Sequence, residues 1–145
     1  ERRACYERWL ARAFEVGGGR CGCIILDRAG RELAAAADDS SAERPLRHAA
    51  MLAIERVAAA AGSAEESLKR PRVEEEYLCQ DCEVITTHEP CIMCAMALVH
   101  SRVRLVAFRG RDADFGGLGG KVSLHTCQNL NHQIRALRWT PAAAE

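Results

Sequence analysis

Glu89-Pro90-Cys91-Ile92-Met93-Cys94 is the stretch on which the reading of this chain turns. Two cysteines three positions apart share one face of a helix. As thiolates they can grip a tetrahedral zinc ion together. With Cys91 at a helix start, the unpaired N–H groups there favour its thiolate form. The residues that follow, Ile92 to Val99, are apolar nearly all round. The pattern predicts a helix from Cys91 to about His100, buried in its own domain or against a partner.

Two thiolates need a third donor. His48 stands near the start of the other long predicted helix, and two helix starts at one sheet edge can converge on one ion. One histidine and two cysteines leave the fourth zinc position open, where a bound water is acidified to a pKa of about 7. Zinc nucleobase deaminases carry this set as H-x-E followed by P-C-x-x-C, the glutamate serving as acid and base and not as a ligand. The second half is complete here. The first half reads His48-Ala49-Ala50, so Ala50 occupies the glutamate's position.

Deamination moves protons from water to the ring nitrogen and to the leaving amine. A carboxylate can carry them and alanine cannot, a loss of at least ~10²–10⁴-fold. Three other carboxylates are candidates to replace it. Glu55 lies two helical turns past His48, on the order of 10 Å from the metal end. Glu43 precedes the helix, and Glu89 adjoins the cysteines. The expectation is a silent site whose zinc is structural.

A rival set exists. Cys79-Gln80-Asp81-Cys82 is a second Cys-x-x-Cys pair, and with Cys91 and Cys94 it could form a four-cysteine structural zinc module. The separation of the pairs, Glu83 to Pro90, is shorter than the roughly 15–20 residues usual in zinc ribbons. Cys5, Cys21, Cys23 and Cys127 read as small buried hydrophobes or bystanders. His100, His125 and His132 have no metal-like spacing with the cysteines.

Around this centre the chain reads as one α/β domain over residues 1–145. An amphipathic helix is predicted over 3–15, with Cys5, Trp9, Leu10 and Phe14 inward, ended by Gly17, Gly18 and Gly19. Strands are predicted over 21–27 and 32–37, joined by a turn at Arg28-Ala29-Gly30. Pro45 opens a helix to about Ala60. A charged loop covers 62–76. Strands over 77–87 and 103–108 flank the cysteine helix, a flexible glycine-rich loop spans Gly116 to Gly120, and the tail from Leu124 to Trp139 has no clear type. The order predicts a mixed sheet covered by helices.

The 145 residues are 48% hydrophobic and 28% charged, with zero formal net charge. This composition excludes a disordered chain and argues against a strongly basic nucleic-acid binder. Charge is uneven, however. From Ser101 onward seven Arg and Lys face only Asp112, Asp114 and Glu145. Arg135, Arg138 and Lys121, with Trp139 for stacking, are the candidate RNA contacts. No apolar run approaches the ~20 residues of a membrane span. Eight cysteines without a secretory signal suit metal binding in a reducing compartment, nucleus or cytoplasm. The chain starts at Glu1, as expected of a piece of a longer protein.

His48-Ala49-Ala50-Met51, the run Glu89 to Arg102, and Leu130-Asn131-His132 together resemble the deaminase-like, non-catalytic subunit family of the eukaryotic heterodimeric tRNA adenosine deaminases. The resemblance implies a three-layer αβα sandwich of the cytidine-deaminase type. It implies zinc on His48, Cys91 and Cys94 and pairing with a catalytic deaminase subunit. It further implies tRNA as substrate of the pair, with adenosine converted to inosine at the wobble position. Members usually carry a further N-terminal region for tRNA capture. The glutamate is typically replaced in this subunit, most often by valine. Ala50 is either such a natural replacement or an engineered change in a catalytic deaminase.

Overall fold

The computed structural model describes residues 2–61 and 77–140. The predicted loop over 62–76 lies outside them. Helix α1 (Arg2–Gly17) is followed by strands β1 (Gly22–Leu26) and β2 (Glu32–Ala37), then helix α2 (Ala49–Ala60). Strand β3 (Glu83–His88), helix α3 (Ile92–His100) and strand β4 (Leu105–Gly110) come next. A 3₁₀ turn (Leu124–Thr126) precedes the last strand, β5 (Arg135–Arg138). The strands form one sheet in the order β2-β1-β3-β4-β5. β1 is antiparallel to both β2 and β3, whereas β3–β4 and β4–β5 are parallel. Parallel neighbours need a crossover, and α3 supplies it between β3 and β4.

Both faces of the sheet are buried. β1 is buried along its whole length, which explains its unbroken Cys-Ile-Ile-Leu run. Successive residues point to opposite sides. Cys23, Ile25, Val84, Val106 and Phe108 join α2 and α3 in one core. Ile24, Leu26, Ile85, Leu105 and Ala107 join Leu10 and Ala13 of α1 in the other. The alanines of β2, weak strand formers, hold the edge by pairing with β1 over Gly22–Leu26. Their small side chains lie under α2, where Ala34 and Ala36 are buried. The result is the expected three-layer αβα sandwich.

α1 lies close against β1. A Cβ on Gly22 would stand 1.9 Å from the Ala13 carbonyl oxygen, so only glycine permits the approach. Gly22→Ala must push the helix off the sheet. We expect a stability loss of about 1–3 kcal/mol, read as a lower midpoint in urea denaturation at unchanged slope.

Several boundaries differ from the sequence expectation. The buried face of α1 is Leu10, Ala13 and Gly17 with Tyr6 and Trp9 partly covered; Cys5 and Phe14 are exposed. Pro45 does not open α2. It sits in a turn, and the helix begins after His48, whose extended backbone (φ −71°, ψ 151°) makes it the N-cap. Tyr77 to Asp81 is not strand. Its apolar residues belong to turns closed by Gln80 N–H to Tyr77 O and Cys82 N–H to Cys79 O, with Asp81 at φ 60°. β4 starts at Leu105, not Val103. The unassigned tail resolves into the 3₁₀ turn and β5. Among the described residues no helix is long and apolar enough to cross a membrane.

Candidate metal centre

The starts of α2 and α3 meet beyond the C-terminal end of β3, the crevice where α/β sheets place ligands. His48 caps α2 and Cys91 caps α3 (φ −63°, ψ 168°). Neither cap uses its side chain on the helix, so both side chains are free to turn toward each other. Cys94 follows one turn into α3, on the same face. His48 Nδ1 lies 3.4 Å from Cys91 Sγ and 3.5 Å from Cys94 Sγ. All three donor atoms lie within 4.8 Å of one another, close enough for one metal ion.

The chemistry of this set fits zinc. One imidazole and two thiolates satisfy its preference for nitrogen and sulfur and leave a fourth position. Cys94 is buried and Cys91 half-buried. The two thiols share a proton. The Cys94 thiol donates toward Cys91 and, against the opposing burial, brings Cys91 down to about 5, helped by the Cys94 N–H and by His48. Cys94 is pushed up, because it keeps that proton and is buried. A metal entering here would displace the proton.

The four-cysteine alternative fails on position. Cys79 and Cys82 are buried in the core, and the metal-competent group among the described residues contains neither. Burial pushes the Cys79 thiol up to about 12, the behaviour of an inert buried cysteine. Cys23 is likewise core, Cys5 is exposed, and Cys21 lines the metal cavity.

That cavity, about 190 Å³, is also lined by Asp38, Ala50, His88, Glu89 and Asp112. Ala50 is buried in its wall and offers only a methyl group. Of the proposed replacements, Glu43 and Glu55 are exposed and absent from the lining. Glu89 is buried and tied to the glycine loop through both oxygens. Its Oε1 accepts the N–H groups of Leu118 (2.9 Å) and Gly120 (2.7 Å), and its Oε2 accepts that of Asp112 (3.1 Å). The glycine loop is therefore clasped by a carboxylate and not loose, a correction to the flexible loop expected from sequence. Gly116 and Gly120 let its backbone reach that carboxylate, since a Cβ on either would meet Glu89 at 2.4 Å or 2.8 Å.

Asp38 and Asp112 were not singled out by sequence. Asp112 Oδ1 accepts the N–H groups of Asp114 and Phe115. Burial pulls the Asp38 carboxyl up, but the Ser40 hydroxyl and N–H, with Arg20 and His48 nearby, hold it below the ordinary carboxylate value. A carboxylate already ionised well below neutral pH is poorly suited to shuttling protons near neutrality.

The candidate RNA contacts do not form one patch. Arg135 and Arg138 are exposed but three residues apart on β5, so they leave opposite faces. Lys121 is exposed on the glycine loop. Trp139 packs partly buried beside Tyr6, ring centroids 6.3 Å apart. His100 is exposed, and His132 Nε2 lies 2.6 Å from the Val103 carbonyl.

Comparison with known proteins agrees with this geometry. The family model of the cytidine and deoxycytidylate deaminase zinc-binding region matches residues 2–109. A human protein described as a probable inactive tRNA-specific adenosine deaminase-like protein 3 is 32% identical over 90% of this chain and 44% of its own length. The tRNA-specific adenosine deaminase subunit tad3 of Schizosaccharomyces pombe is 35% identical over 84% of this chain and 38% of its own. The chain thus spans less than half the length of these relatives. A chain from a structural study of A-to-I editing by tRNA:A34 deaminases superimposes with a TM-score of 0.62, covering 96% of this chain and all of that one, at 22% identity. That likeness speaks for the fold. The chain belongs to the family that carries the cytidine and deoxycytidylate deaminase zinc-binding region.

Proposed function

We propose that this chain is the deaminase-like, non-catalytic half of a two-subunit tRNA adenosine deaminase. It holds one zinc ion through His48, Cys91 and Cys94. The catalytic subunit performs the conversion of adenosine to inosine at the wobble position, and this chain supports dimer formation and tRNA binding, in nucleus or cytoplasm. One contrast carries the reading: the three donor atoms converge within 4.8 Å, while the wall position that needs a carboxylate is Ala50.

Bound zinc would supply an acidified water. This chain's own residues do not complete the reaction. Ala50 moves no proton, and the Glu89 carboxylate is held through both oxygens by three backbone N–H donors. An ion held by His48, Cys91 and Cys94 would pin the starts of α2 and α3 together. Beside the donors Leu46 (64%) and Ile92 (39%) are exposed, and so is Phe115 (69%) of the loop after β4, whose carbonyl accepts the Ile92 N–H. An apolar surface of this kind suits a protein partner. Lys121, Arg135 and Arg138, all exposed, are the phosphate contacts in this reading, met on separate surfaces.

The test is inosine formation on an adenosine-containing tRNA by the full-length, zinc-loaded chain. Inosine is expected only when the catalytic subunit is added; inosine from this chain alone would overturn the reading. Ala50→Glu separates a native pseudoenzyme from a disabled enzyme. No inosine is expected from the isolated variant. A gain of about 10²-fold or more, the scale of acid–base catalysis, would mean that the rest of an active site is intact.

A further inference from the structure

His48 turns one ring nitrogen to the metal centre and has a second to account for. Its Nδ1 faces the Cys91 and Cys94 sulfurs at 3.4 Å and 3.5 Å. A neutral imidazole carries one N–H, and histidine ligates metal in its neutral form. With Nδ1 on zinc, the proton therefore sits on Nε2. Among the described residues no side chain or backbone group accepts it directly. Ligating histidines almost always donate this second N–H to a carboxylate, a carbonyl or a water, which fixes the ring and makes the ligating nitrogen more basic.

Three carboxylates share the cavity wall with His48: Asp38, Glu89 and Asp112. Glu89 and Asp112 are committed to backbone N–H groups of the loop after β4. Asp38 is placed differently. It follows directly on β2, and the N–H of Asp39 donates to the Arg47 carbonyl at 2.9 Å. The residue after Asp38 is thus bonded to the residue before His48, which holds the end of β2 against the start of α2.

The bonds that Asp38 accepts through its side chain all fall on one oxygen. Oδ1 takes the Ser40 N–H at 2.7 Å, the Ser40 hydroxyl at 2.5 Å and the Arg20 guanidinium at 3.3 Å. Oδ2 accepts none among the described residues. The carboxylate is fixed by one oxygen and keeps the other open. Its charge is in place as well: against burial, the Ser40 hydroxyl and N–H, then Arg20 and His48, keep it ionised.

We propose that Asp38 is the positioning residue of the metal centre, holding His48 through one water that accepts the Nε2–H and donates to Asp38 Oδ2. Such a bridge is enthalpically nearly as good as a direct hydrogen bond. Asp38 moves no proton. It keeps His48 in the tautomer that frees Nδ1, and it fixes the ring with Nδ1 toward the sulfurs. The assignment rests on zinc bound by His48, Cys91 and Cys94, as in the reading above. Loss of such a partner typically weakens metal binding about 10–100-fold.

The experiment measures the zinc affinity of the full-length chain at neutral pH by competition with a chromophoric chelator. The ring signals of His48 are followed by NMR in the same protein. Asp38→Asn keeps the shape and leaves an oxygen for Ser40, but puts a donor where Oδ2 stood. Zinc should bind about 10–100-fold more weakly, and the His48 Nε2–H signal should shift and exchange faster with solvent. Asp112→Asn changes the other carboxylate of the wall and should leave both readouts as in wild type. Ser40→Ala keeps the carboxylate and removes one of its holds; it should give a smaller loss in both readouts, and it decides the matter if Asp38→Asn does not fold. Unchanged zinc affinity in Asp38→Asn, or in Ser40→Ala where it must stand in, overturns the proposal. So does an equal loss in Asp112→Asn, or weaker zinc with the Nε2–H signal unmoved, the mark of a merely structural carboxylate. Zinc bound at His48 Nδ1 and indifferent to Asp38 defeats this assignment alone. A wild-type chain that binds no zinc, or binds it with the His48 ring signals unmoved, defeats the metal reading and the assignment together.

Discussion

Cys94→Ser is expected to release the metal and loosen the domain. The Cys94 sulfur is buried between His48 and Cys91, at 3.5 Å from His48 Nδ1. Serine puts a hard, weakly acidic oxygen where zinc prefers thiolate. Because binding energy of a structural zinc is folding energy, on the order of 10 kcal/mol in small zinc domains, even partial loss is large. Zinc content after dialysis against a mild chelator should drop from near one equivalent to near zero. The melting temperature should fall by about 10 °C or more, since each kcal/mol moves it several degrees at this size. Cys82→Ser is the control. Cys82 lies outside the donor group, so zinc content should hold.

The second large effect is at Glu89. Replacement by alanine strands three backbone N–H groups and opens a hole beneath the glycine loop. A hydrogen bond to a charged group contributes about 1.5–3 kcal/mol, and a stranded buried donor costs about 1–3 kcal/mol. Glu89→Ala should therefore destabilise by at least about 4 kcal/mol and should release residues 112–120. Hydrogen exchange at the Leu118 and Gly120 amides is the direct readout. Glu89→Gln is graded. Its oxygen can still accept from Leu118 and Gly120, but its amide then faces the Asp112 N–H, donor against donor. An intermediate loss is expected, with Asp112 exchanging faster than Leu118. Equal protection of these amides in wild type and Glu89→Ala would show that the loop is held by something else.

These two sites differ in how far the sequence reveals them. Cys91 and Cys94 are legible because their spacing is local: a helix turn alone brings them together. His48 is legible only because the spacing pattern of zinc deaminases links it to a distant Pro-Cys-x-x-Cys. Glu89 stands in the same stretch, yet its role depends on residues 112–120, which return to it across the β4 turn. Sequence offers it as a carboxylate near the metal, and only the fold shows that its oxygens are already used. The signal that could have found it was the pairing of one buried acid with four closely spaced glycines.

Other differences have similar causes. Tyr77 and Leu78 look like strand because they are apolar, but the turn at Asp81, with its positive φ, breaks the backbone before β3 begins. Pro45 looks like a helix start because it suits a first turn, but the helix waits until His48 can cap it. The apolar stripe of α1 is rotated because Gly22 brings the helix down on Ala13. β5 carries few apolar residues and is held by pairing with β4 from Leu105 to Phe108, a contact that no local pattern announces.

The claim underneath all of this is a zinc centre of one imidazole and two thiolates. X-ray absorption at the zinc edge of the purified full-length chain tests it most directly. The account predicts two sulfur neighbours at about 2.3 Å and nitrogen or oxygen neighbours at about 2.0–2.1 Å, with the sulfur signal halved in Cys94→Ser only to the extent that zinc is retained. Four sulfur neighbours, or protein that purifies folded and binds no zinc on reconstitution, would contradict it.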